Sequence, residues 1–219
     1  MPPMFHNPIW FATELIYTLI VLFLCFLIYF KTKEIYDLTK HKGISYFRNT
    51  FLFFGLAYVF RFIFSLIRMT DRWIGTIYIP RGAMMPIMIL FTAYFSTMAL
   101  LFLIYSTIWK RFSSRDFFIA ANILAVLIAV AAALSPPIFL ITQAVLLVVA
   151  IVLSLVLRSK KAKFSRTALL YFLMFAFWII SLILVVPGRV LGFEIRIALE
   201  VISIALFGII YYKVSKWTK

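Results

Sequence analysis

Ser45–Arg68, SYFRNTFLFFGLAYVFRFIFSLIR, is long and apolar enough to cross a bilayer, yet it carries Arg61 within it. An arginine at bilayer depth costs about 2.5–3.5 kcal/mol on insertion scales, so it is expected to face a bundle interior and find a partner. At ~100° per residue, Tyr58, Arg61, Ser65 and Arg68 share one face, while Phe60, Phe62, Ile63 and Phe64 mostly point elsewhere. The polar face is therefore expected to look inward.

The rest of the chain has the same character. Of its 219 residues 65% are hydrophobic and 13% charged, with a mean hydropathy of +1.09, well outside the composition of soluble domains. Runs at about 9–30, 46–67, 84–108, 117–134, 138–157, 168–186 and 195–212 each approach the ~20 residues a membrane helix needs. The expected fold is all-α, a seven-transmembrane-helix bundle forming one polytopic domain over residues 1–219. The connections are too short to hold a soluble catalytic or output domain. No nucleic-acid role is inferred from the net charge of +15, because its distribution reads as a topology signal. Sixteen of the 22 Lys and Arg residues fall in the first, third and fifth connections and at the C-terminus. Arg68, Arg72, Arg81, Arg189 and Arg196 fall on the other side, which predicts an N-terminus outside, a C-terminus inside and residence in the plasma membrane.

Residues 1–8 lack Lys and Arg and no cleavage site follows the first run, so the first helix is expected to be retained. Cys25 has no second cysteine to pair with and reads as packing. Beyond Phe30, KTKEIYDLTKHKG keeps helical spacing, with Lys33 and Asp37 four apart and Gly43 as the stop. The Lys31–Gly43 segment is either a docking surface for a cytoplasmic or membrane partner or a solvated helix end that meets anionic lipid. Trp73 and Tyr78 suit the membrane interface. Pro86 is expected in the first turns of the third helix, and Ser135, Pro136 and Pro137 join the fourth and fifth as an antiparallel hairpin.

Aligning the first three helices with the last three gives a faint parallel repeat. Thr13 and Glu14 match Thr142 and Gln143, and Cys25 matches Ser154 at the same offset. In size and helix order the chain resembles the three-plus-one-plus-three plan of SWEET-type sugar transporters, which implies that the fourth helix is a peripheral linker. The resemblance is architectural only, since the prolines those proteins carry in the first two helices of each repeat are absent here.

Counted from the outer boundary at 1.5 Å per residue, Glu14, Arg61, Gln143 and Glu200 lie about 7–10 Å deep, with Tyr94 and Trp178 slightly deeper. Arg196 is four residues from Glu200 and Tyr58 shares the Arg61 face. This layer, Glu14, Tyr58, Arg61, Tyr94, Gln143, Trp178, Arg196 and Glu200, is the candidate ligand-binding set. It reads either as a pocket for a small polar or charged ligand or as a lock that neutralises its own charges.

No catalytic residue, metal or cofactor is assigned. His6 and His41 lie at opposite ends and there is no HExxH. Asp37, Asp71 and Asp116 are all in connections, unlike the aspartate pair of an intramembrane protease. Lys213 sits at a helix end rather than where microbial rhodopsins attach retinal, and no span holds the histidine an archaeosortase would need. The expected function is a non-enzymatic, receptor-like bundle. The alternatives are a small-solute or ion transporter and a structural subunit of a membrane complex.

Overall fold

A computed structural model describes residues 8–74, 81–156, 166–185 and 192–216. Among these the chain forms helices α1 (Pro8–Thr39), α2 (Lys42–Ile74), α3 (Arg81–Ile108), α4 (Ser114–Leu134), α5 (Pro136–Val156), α6 (Arg166–Val185) and α7 (Phe193–Ser215), with no strand. Tyr78, Pro187, Gly188 and most of the basic fifth connection fall outside the described residues, as does the side chain of Trp73.

Among the described residues five helices, not seven, are long and apolar enough to cross a membrane: Ala12–Thr39, Lys42–Ile67, Met84–Ile108, Ser114–Leu134 and Pro136–Ser154. Among the described residues the apolar stretch of α6 is Leu169–Leu184, shorter than those five. In α7, Glu194, Arg196 and Glu200 occupy the first turns and Lys213 the last, which confines the uncharged run to residues 201–212. The expectation of seven crossings is thereby corrected. The repeat of three crossings around a linker needs seven spans and falls with that number; the N-terminus-out, C-terminus-in assignment rests on the charge asymmetry alone. The protein is a multi-pass α-helical membrane protein.

The helices neighbour one another in the order α1, α2, α3, α5, α6, α7 and back to α1, with α4 packed outside against α3 and α5. The innermost helix is α3: every residue from Ser96 to Ser106 is buried, as in a helix enclosed on all sides. Close approach of α4 rests on Ala121, Ala125, Ala129 and Ala132, its buried stripe, because small side chains let helix backbones meet. The other face of α4 exposes Ile119, Ile123, Leu127 and Val130, and α5 exposes Val145, Val148 and Val152. Such a surface suits lipid contact.

The α1–α2 turn differs from the sequence expectation. The first helix ends at Thr39, and Lys40 takes the left-handed conformation at φ 51° while its N–H donates to Tyr36 O at 2.7 Å. Gly43 therefore does not stop α1 but sits in the first turn of α2. A β-carbon there would lie 2.9 Å from His41 and 3.0 Å from the Trp109 indole. The Lys33–Asp37 pair is replaced by Lys31–Glu34 at 2.8 Å and Lys40–Asp37 at 3.6 Å. Pro86 does lie in the first turns of α3. The start of α4 is capped by Ser113, which accepts from Asp116 N at 3.1 Å and donates to Asp116 Oδ2 at 2.7 Å.

Lys40, Lys42, Lys110, Arg111 and Arg115 gather where the α1–α2 and α3–α4 connections meet, here called the basic end. From there toward the bundle centre runs an aromatic core. Phe177 and Phe207 rings are 4.1 Å apart, Phe54 and Trp178 4.7 Å, and Phe54 and Phe177 5.2 Å. Phe51 continues it toward the basic end, 6.2 Å from Phe207, and all five rings are buried. Offset and edge-on contacts of this kind add about 0.5–1.5 kcal/mol per pair beyond their buried area.

Candidate functional site

Arg61 projects from α2 toward α1, where its Nη2 donates to Glu14 Oε1 at 3.0 Å. Both side chains are mostly shielded, so the pair removes two charges from an apolar setting. The Arg61 guanidinium also lies 5.9 Å from the centre of the Tyr58 ring, within cation–π range. Glu14 sits where the backbone carbonyl of its own turn accepts from Thr18 Oγ1 at 2.7 Å.

Beside this pair runs a hydroxyl network that sequence reasoning did not include. Tyr17 Oη on α1 is 3.0 Å from Ser203 Oγ on α7 and 3.3 Å from Tyr58 Oη on α2. All three residues are buried. On α7, Arg196 Nε donates to Glu200 Oε1 at 3.2 Å, the expected i,i+4 pair.

On the other side of Arg61 the bundle contains a cavity of about 40 Å³. One wall is α2, through Phe54, Ala57, Tyr58 and Arg61. Thr92 and Ser96 of α3 and Phe139 and Gln143 of α5 form the opposite side, and Trp178, Ser181 and Leu182 of α6 complete it. The volume accommodates about three water-sized groups.

The polar groups on this wall decide what the cavity can do. Gln143 is fully buried; its Nε2 donates to Thr97 Oγ1 at 2.9 Å, while Oε1 has no protein partner. Thr92 Oγ1 is also buried without one. Ser181 Oγ lies beside the Tyr58 hydroxyl but outside hydrogen-bond geometry. A buried polar atom left unpaired costs about 1–3 kcal/mol. Three such atoms around one cavity call for something in it that hydrogen-bonds.

The eight candidate residues thus divide. Tyr58, Arg61, Gln143 and Trp178 line the cavity. Glu14 stands behind Arg61 as its counter-ion, and Arg196 with Glu200 forms the α7 pair. Tyr94 turns the other way and donates to Asn122 Oδ1 on α4 at 2.6 Å. Thr92, Ser96 and Ser181, visible in the sequence as hydroxyls on apolar helices, join the wall. Among the described residues no group of three or more His, Cys, Asp or Glu stands together.

An uncharacterized protein of Archaeoglobus fulgidus is 34% identical over 223 residues, an alignment spanning 99% of this chain and 97% of that protein. The chain belongs to the same family as that archaeal protein. No family model matches it, and no solved structure does. The family relationship extends over the whole helical bundle, including every helix that contributes to the cavity.

Proposed function

We propose that this family member is a receptor-like bundle of the plasma membrane, without enzymatic activity, that binds a small polar ligand in the cavity between α2, α3, α5 and α6. The observation that carries the reading is the set of buried, unpartnered polar atoms, Gln143 Oε1, Thr92 Oγ1 and Ser181 Oγ, facing one space. A pure structural lock satisfies its own groups, as Arg61 with Glu14 and Arg196 with Glu200 do.

Binding is favoured over transport by what lies next to the cavity. Toward the basic end it abuts the buried rings of Phe54, Phe177, Trp178, Phe207 and Phe51, a stack of aromatic contacts that fills the bundle there. A signal would then leave through a partner protein, for which the Lys31–Gly43 turn is the candidate surface.

The test is a thermal-unfolding screen of the purified protein in lipid nanodiscs. The panel covers small amides, polyols, amino acids, carboxylates and amines, each measured on the native chain and on Gln143→Leu. A rise in Tm with the native chain that disappears in the variant supports the reading. A panel without any Gln143-dependent shift overturns it.

A further inference from the structure

The character of the cavity wall narrows the ligand class, an inference that rests on reading the cavity as a ligand site. Charge is the first filter. Arg61 reaches the wall already paired with Glu14 at 3.0 Å, and the neighbouring Arg196 and Glu200 are paired at 3.2 Å, so these four charges sum to zero. An anion would have to compete with Glu14 for the guanidinium. A cation would face Arg61 with no carboxylate on the cavity wall.

Hydrogen-bonding pattern is the second filter. With Nε2 committed to Thr97, the end of the Gln143 amide facing the cavity is its carbonyl oxygen, which only accepts. Its ligand must donate. Thr92 and Ser181 carry hydroxyls that can donate in return, so a ligand that also accepts satisfies them. Size is the third filter, because 40 Å³ admits about three water-sized groups, a molecule of about four heavy atoms. Phe54, Phe139 and Trp178 leave an apolar surface for a methyl or methylene group.

We propose that the cavity takes a small uncharged carboxamide or urea-like solute, its N–H directed to Gln143 Oε1 and its carbonyl toward the Thr92 and Ser181 hydroxyls. The donor–acceptor order on the wall is the complement of an amide. A carboxylate lacks the donor that Gln143 Oε1 needs, and an amidinium brings a positive charge up to Arg61.

Acetamide, acetate and acetamidinium test this directly, being nearly isosteric with charges of zero, minus one and plus one and each carrying one methyl reporter. Saturation-transfer NMR on the protein in nanodiscs is expected to show acetamide binding at about the millimolar level suited to so small a ligand. The signal should fall about threefold or more in Gln143→Leu and again in Ser181→Ala, both checked for native helix content. The two ions should give signals that neither substitution changes. A Gln143-dependent signal strongest for acetate or acetamidinium would overturn the neutral-amide assignment while leaving the cavity a ligand site. Absence of a substitution-sensitive signal from all three would also overturn the assignment. The ligand-site reading itself stands or falls separately, on the wider thermal screen.

Discussion

Arg61 and Glu14, 47 residues apart in sequence, meet at 3.0 Å between α2 and α1 and fix how those two helices face one another. Removing one partner leaves the other as an uncompensated charge in an apolar setting. Arg61→Ala is expected to destabilise the bundle by about 3–5 kcal/mol, and Arg61→Ala with Glu14→Ala to recover part of that loss. A double-mutant cycle of unfolding in mild detergent measures the coupling, and additive losses would show that the contact carries no stability.

Tyr17 ties α1 to α7 through Ser203 and to α2 through Tyr58. Tyr17→Phe keeps the ring and deletes the hydroxyl, leaving the fully buried Ser203 Oγ without that partner. A loss of about 1–3 kcal/mol follows. It should be larger than for Tyr212→Phe, whose ring is exposed on the same helix as Ser203, when both are compared by chemical unfolding.

Ala125 is fully buried on the stripe that lets α4 lie close against α3. Ala125→Leu adds volume where the backbones approach and should cost about 1–3 kcal/mol, whereas Leu127→Ala on the exposed face should cost little. Thermal unfolding of the two variants distinguishes a close α3–α4 contact from a loosely attached outer helix.

Those contacts also show which parts of the molecule sequence could reveal. Arg61 and Glu14 stand out because a charge within an apolar run demands a partner, and depth counting put them at one level. Arg196 and Glu200 follow from helical spacing alone. Tyr17 was invisible because α1 is apolar on nearly every face, so nothing in its pattern marks the side that meets α7. Thr92, Ser96 and Ser181 are plain in the sequence, but hydroxyls on membrane helices bond to their own backbone so readily that only the fold reveals which ones face a cavity. The alanines of α4 are legible as small residues, but only the fold shows that four of them make one packing surface. Hydropathy runs alone overcount the crossings, because a run of membrane-like composition need not be a full span. Among the described residues α6 offers the stretch Leu169–Leu184, and the charges of α7 occupy its first turns. Gly43 was misplaced because the α1 ending is made by Lys40 in the left-handed conformation.

The most direct measurement asks whether small solutes reach the cavity, using Cys25, fully buried between α1 and α2, as an internal standard. In Ser181→Cys, methylmercury, a thiol reagent small enough for the cavity, should modify the new thiol at least about tenfold faster than Cys25, and Gln143→Leu should not remove that difference. Equal inertness of both thiols, with the fold intact, would mean a sealed interior and contradict a ligand site between α2, α3, α5 and α6.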